Sequence, residues 1–227
     1  MIKAIALDID GTIADNNSML SIEAISSIRK LEENKIKVIL SSGNALCVVK
    51  TLSKYIGCSG PTIAENGAVV EYNAKIRIIG RKGIGRRAVE ELKKVYPNEI
   101  KESWSNAFRF VDAAIRRTLD IEKVERIIKK VKGAKVIDSG FAYHITDENV
   151  DKGKGLLLAL KLIGLKPEEV AGIGDSITDL EMLNICKFKA TVANADPRIK
   201  KIADYVASKE FGLGFVEIAE KILEEKI

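Results

Sequence analysis

The chain has 227 residues, of which 46% are apolar and 30% charged, and 37 basic against 32 acidic residues leave a net charge of +5. That length suits one large domain, or a domain with a smaller insert, and the composition is that of a folded globular chain rather than a disordered one. The mild charge shows no concentrated basic stripe and aromatics are only 5%, which argues against nucleic-acid binding, and no apolar run reaches membrane-spanning length.

Ile2 to Ile9 reads as a short buried strand. It runs directly from the first residue, without the length or cleavage site of a signal peptide, so a cytoplasmic protein is expected. Ser21 caps an expected helix to about Asn34, with Ile22, Ile25, Ile28 and Leu31 on one stripe. Lys37 to Leu40 is a second strand, broken by Ser41-Ser42-Gly43-Asn44, and Ala45 to Tyr55 a second helix. Pro61 to Ala64 opens a third strand. Ala68 to Tyr72 and Lys75 to Ile79 form an expected hairpin around Asn73.

The middle changes character. Gly80, Gly83 and Gly85 interrupt it, followed by a helix (88–95), a long strand (108–116), a helix (121–132) and two strands (134–137 and 141–145). After residue 151 the strand–helix rhythm resumes: a helix from Gly153 to Ile163, strands at 170–173, 190–193 and 205–207, a short helix at 177–183 and a closing helix at 215–225. Alternating strands and helices imply an α/β fold, a Rossmann-like parallel sheet covered on both faces. The expected organisation is a core of 1–80 and 152–227 with a small α+β insert at 81–151.

The acids carry the chemistry. Asp8 and Asp10 close the first strand, and side chains two apart in a strand point the same way. Two like charges so close are costly without a cation, and a hard dication with oxygen ligands, magnesium above all, resolves the conflict. A second pair, Asp175 and Asp179, follows the strand at 170–173 with the same logic. Ser42 and Gly43 offer hydroxyl and N–H groups to an anion, and Lys152 a charge that offsets a phosphate or orients Asp8. His144, the only histidine, alternates within a strand and is expected to be structural, so histidine catalysis has little support. Cys47, Cys58 and Cys186 are odd in number and form no Cys-x-x-Cys pair, which argues for core packing rather than a disulfide or zinc framework. Abundant Lys, Glu and Ile with few Cys and His suggest a thermophile.

Asp8-Ile9-Asp10-Gly11-Thr12 resembles the first motif of the haloacid dehalogenase superfamily, Ser42-Gly43 its second, Lys152-Gly153 its third, and Gly174-Asp175-Ser176 with Asp179 its fourth. The insert resembles the C2-type cap of the Cof-like phosphatases, as do Glu65-Asn66-Gly67-Ala68 and Val192-Ala193-Asn194-Ala195. Ser42-Gly43-Asn44 stands where that subgroup usually carries Thr-Gly-Arg, and Thr178 where it usually carries Asn. The small insert and Ser-Gly-Asn are most similar to archaeal phosphoglycolate phosphatases.

The resemblance implies a magnesium-dependent phosphomonoesterase with Asp8 as nucleophile and Asp10 as general acid and base. Asp8, Asp10, Asp175 and Asp179 would hold the metal, and Ser42, Gly43 and Lys152 the phosphoryl group. The implied partner is a small phosphorylated metabolite, 2-phosphoglycolate first, with Arg81, Lys82, Arg86, Arg87 and Arg109 as candidates for its carboxylate. No nucleic acid or membrane is expected, and a monomer or homodimer is the expected state. The alternatives are a broad sugar-phosphate phosphatase, a phosphomutase of the same superfamily, and a non-enzymatic binding module.

Overall fold

Ala4–Asp8 form β1, buried at every position. Its side chains alternate between two apolar clusters, Ile5 and Leu7 in one and Ala4 and Ala6 in the other. That alternation marks a central strand covered on both faces. The computed structural model describes residues 1–225 and continues with α1 (Ile22–Glu33), β2 (Lys37–Ser41), α2 (Leu46–Ile56), β3 (Thr62–Ala64), β4 (Val69–Tyr72) and β5 (Lys75–Ile78). Ser21 caps α1, its hydroxyl accepting from the Ala24 amide at 3.2 Å. Next come α3 (Ile84–Val95), β6 (Ala113–Ile115), α4 (Ile121–Ile128), β7 (Ala134–Asp138) and β8 (Tyr143–Asp147). The chain closes with α5 (Lys152–Ile163), β9 (Val170–Ile173), α6 (Leu180–Ile185), β10 (Phe188–Thr191), α7 (Pro197–Ile202), β11 (Tyr205–Val206) and α8 (Phe211–Glu225).

Eight strands share one sheet in the order β11-β10-β9-β1-β2-β3-β4-β5, parallel as far as β3, with β4 and β5 added as an antiparallel edge. Apolar residues of α1, α2 and α8 fill the cluster on one face, and those of α5 and α6 the cluster on the other. β6, β8 and β7 form a separate antiparallel sheet with its own core, in which Val89 and Leu92 of α3 and Val124 and Ile128 of α4 pack on Ile115 and Ile145.

The insert departs most from its sequence pattern. Residues 108–116 are not one long strand: Trp104–Phe108 form a 3-10 turn, and only Ala113–Ile115 join the sheet. The reason is a competing acceptor. The buried Glu65 carboxylate takes the amides of Phe110, Val111 and Asp112 at 2.9 to 3.0 Å, and the carbonyls of Phe110 and Val111 accept from Gly83 and Gly85. The glycines at 83 and 85 start α3 rather than interrupt the chain. A Cβ at Gly85 would lie 2.3 Å from the Ile145 carbonyl oxygen, so only glycine lets this helix lie so close to β8. The helix from Ile121 ends at Ile128, four residues earlier than its periodicity suggests. Cys186 is buried and Cys58, half-buried, packs against the main core, whereas Cys47 is exposed on α2, so core packing accounts for two of the three.

Candidate active site

The parallel register brings the acids together. Asp8 ends β1 directly opposite Ser41 of β2, and β9, paired to the other side of β1, ends at Ile173 just before Asp175. Three neighbouring strands therefore deliver functional side chains to one sheet edge, the carboxyl edge where open α/β sheets bind ligands. Carboxylate oxygens of Asp8, Asp175 and Asp179 lie within 4.8 Å of one another.

Lys152, the first residue of α5, is buried between two of these acids. Its Nζ donates to Asp8 Oδ1 at 2.5 Å and to Asp179 Oδ1 at 2.6 Å. A cation at a helix N-terminus opposes the helix dipole, and the two carboxylates supply the compensation. Burial opposes the ammonium, but Asp179 and Asp8 outweigh it and raise the Lys152 pKa. One ammonium does not balance three acids. Burial, then the neighbouring Asp179 charge, raises Asp8 well above the ordinary carboxylate value, and the same two causes raise Asp175 to about 6.

Short-range bonds fix each acid. Thr12 Oγ1 lies 3.2 Å from Asp8 Oδ2 and 3.0 Å from Asp175 Oδ1, within reach of donating to either. Asp179 Oδ2 accepts the amides of Asp175 and Ser176 at 3.2 and 3.0 Å. Gly11 has φ +90°, and a Cβ there would fall 2.4 Å from Asp175 Oδ2, so the tight exit from β1 requires glycine. Asn194 donates to the Gly11 carbonyl at 2.8 Å and accepts from the Phe211 amide, tying this loop to α8.

Asp10 lies beside this group rather than within it. Its Oδ2 accepts from Asn44 Nδ2 at 2.9 Å and from Ser42 Oγ at 3.3 Å. Ser42 is buried, and its hydroxyl also takes the Asn44 amide at 3.0 Å. The three converging carboxylates are Asp8, Asp175 and Asp179. All are hard oxygen donors with raised or crowded charges, a set that fits a small hard dication such as magnesium.

A cleft of about 250 Å³ joins Asp8, Asp10, Lys152 and Asp175 to Ser103, Arg109, Phe141 and His144 of the insert. Among the basic insert residues, Arg109 alone lines it, whereas Arg81 is bound to Asp147 and to the Gly133 carbonyl. His144, expected to be structural, faces this cleft as well. β8 of the insert brings it there from far along the chain, so no local pattern joins it to the acids. Asn44 and Asn66 also line the cleft. The first reads as a departure from a motif whose neighbours Ser42 and Gly43 are site candidates, the second as part of a segment resembling the Cof-like subgroup; neither is itself a site candidate from the sequence.

No helix among the described residues is long and apolar enough to cross a membrane. The profile of the haloacid dehalogenase-like hydrolases matches residues 5–104 and 90–211. A phosphoglycolate phosphatase of Staphylothermus marinus is 41% identical over 99% of each chain, and one of Methanothermobacter thermautotrophicus is 38% identical over 97% of this chain and 99% of its own. A crystal structure of a Thermoplasma acidophilum protein, 28% identical, superposes with a TM-score of 0.89 over 98% of this chain and 99% of that one. With the acids, lysine and sheet edge arranged as described, the chain belongs to the haloacid dehalogenase-like hydrolases.

Proposed function

We propose that the chain, a phosphoric monoester hydrolase of this family, hydrolyses 2-phosphoglycolate to glycolate and phosphate through an aspartyl phosphate on Asp8. One observation carries the reading. Asp8 stands at the carboxyl edge of the sheet, fixed by Lys152 and Thr12, and faces a cleft shared with Asp10. A carboxylate held in this way is an oriented nucleophile.

Asp8 attacks phosphorus as the bond to the substrate's alkoxide oxygen breaks. Asp10, kept in place by Asn44 and Ser42, protonates that leaving oxygen. It then takes a proton from the water that cleaves the aspartyl phosphate. Lys152 keeps Asp8 aligned and offsets phosphoryl charge, and Ser42 and Gly43 contact the phosphoryl oxygens. Asp8, Asp175 and Asp179, with Asp10 alongside, would hold magnesium, which when bound would supply positive charge for those oxygens. The insert of 81–151 acts as a cap selecting substrate over the core of 1–80 and 152–227, and the small cleft favours a small ester. The names of the two archaeal relatives support phosphoglycolate as that ester.

The test is phosphate release from 2-phosphoglycolate with magnesium. EDTA abolishes it, and Asp8→Asn lowers kcat by about three orders of magnitude or more, as expected when a nucleophile is removed. Turnover at the wild-type rate in Asp8→Asn overturns the mechanism.

A further inference from the structure

The insert wall of the cleft holds a buried polar cluster that this chemistry leaves unused. Asp112 Oδ1 accepts from Arg109 Nη1 at 3.0 Å, and Oδ2 accepts from Asn66 Nδ2 at 3.2 Å and lies 3.0 Å from His144 Nδ1. Burial opposes the Asp112 charge, but His144 and Arg109 outweigh it and hold the carboxyl below its ordinary pKa. A carboxylate so held accepts from Nδ1 and thereby fixes the orientation of the ring. The ring also packs on the strand-end loop of the core: a Cβ at Gly43 would lie 3.3 Å from His144 Cε1.

The His144 side chain is 9% exposed and lines the cleft with Asp8, Asp10 and Lys152. Its Nε2 has no hydrogen-bond partner among the described residues. The other cations of the cleft already serve protein acceptors, Arg109 through two of its three guanidinium nitrogens. Lys152 is shared by Asp8 and Asp179, while Arg109 Nη1 serves the Gly43 carbonyl as well as Asp112, and its Nε donates to Ser105. With Nδ1–H donating to Asp112, Nε2 is a donor when the ring carries both protons, and a cation so placed in a cleft that also holds Asp8 suits an anionic group on the ligand.

We propose that His144, with a proton on each ring nitrogen, donates from Nε2 to the carboxylate of a small phosphorylated acid whose phosphoryl group is at Asp8, with Asp112 accepting from Nδ1 as the positioning residue. This rests on the phosphatase reading above. It names the residue that distinguishes a phosphorylated acid from a plain phosphate ester, a task that the surface arginines of the insert do not perform.

The experiment measures kcat/KM for 2-phosphoglycolate and for ethyl phosphate, which has the same two-carbon chain and no carboxylate, in the wild type, His144→Gln, Asp112→Asn and the double variant. The wild type prefers 2-phosphoglycolate by at least tenfold, because a site built to bind a polar group rejects the analogue lacking it. His144→Gln lowers that preference tenfold or more, chiefly through KM. Asp112→Asn lowers it less, and adding it to His144→Gln causes no further loss, the non-additivity of residues acting as one unit. Each variant is assayed below its own melting midpoint, so the ratio of the two esters reports recognition rather than folding. Retention of the full preference in His144→Gln overturns this inference alone. Additive losses in the double variant overturn the positioning role of Asp112. Turnover of neither ester by the wild type overturns the phosphatase reading, and this inference with it.

Discussion

On the sheet side of the cleft, Asp8, Asp175 and Asp179 crowd around the single ammonium of Lys152. On the insert side, Asp112 is matched within its own cluster by Arg109, His144 and Asn66. The sheet wall holds an unbalanced negative charge at a buried position, a standing demand for a cation from outside. The insert wall is neutralised internally, so what it turns toward the cleft is free to read a ligand. The same residue type, aspartate, has its pKa raised in one setting and lowered in the other, and the number of cations beside it decides which.

The largest test of this contrast is Lys152→Met. It leaves Asp8 and Asp179 buried without their ammonium, a loss of about 3–5 kcal/mol in metal-free protein, and kcat for phosphate release falls at least a hundredfold. Magnesium should raise the melting temperature of this variant more than that of the wild type; equal shifts would mean that the lysine does not offset the acids.

Glu65→Ala comes next. It orphans the amides of Phe110, Val111 and Asp112 at the seam between the walls, at a cost of about 3 kcal/mol in chemical denaturation. A loss under about 0.5 kcal/mol would show the seam held by other contacts.

These two variants also separate what was legible in the sequence from what was not. Asp8, Asp10, Ser42, Lys152, Asp175 and Asp179 were legible because each sits within a residue or two of a strand end or a helix start, and parallel register sends all such ends to one edge. Asp112 and His144 were not, because nothing local marks them: they meet only when β6 and β8 pair antiparallel and Glu65 redirects the chain before β6. The expectation of a long strand over 108–116 failed for the same cause. A single buried carboxylate from the core overrode β propensity in the insert.

A third test concerns acid. The Asp175 carboxyl is raised to about 6 because burial disfavours its charge, so in metal-free protein it is protonated below that pH. A metal must displace the proton, and affinity for magnesium should fall as pH drops below about 6, by up to about tenfold per unit for each proton displaced. Calorimetric titration at pH 5, 6 and 7.5 checks this; an affinity independent of pH would place the metal away from Asp175. The smallest effect belongs to the rim of the insert. Phe141 is 58% exposed and lines the cleft, so Phe141→Ala should change stability by no more than about 0.5 kcal/mol and shift KM without a matching change in kcat.

Glu65, Asn66 and Gly67 all have positive φ, between 51° and 96°. Glu65 and Asn66 grip residues 110–112 at the insert wall, while a Cβ on Gly67 would come within 2.0 Å of the Asp151 carbonyl, one residue before the lysine of the sheet wall. One three-residue turn thus touches both walls, the insert wall through two side chains and the sheet wall through the backbone of Gly67. The gauge of the cleft is set there by a turn of fixed φ and the two side chains it aims, a dimension that side-chain substitution elsewhere along the opening leaves as it is.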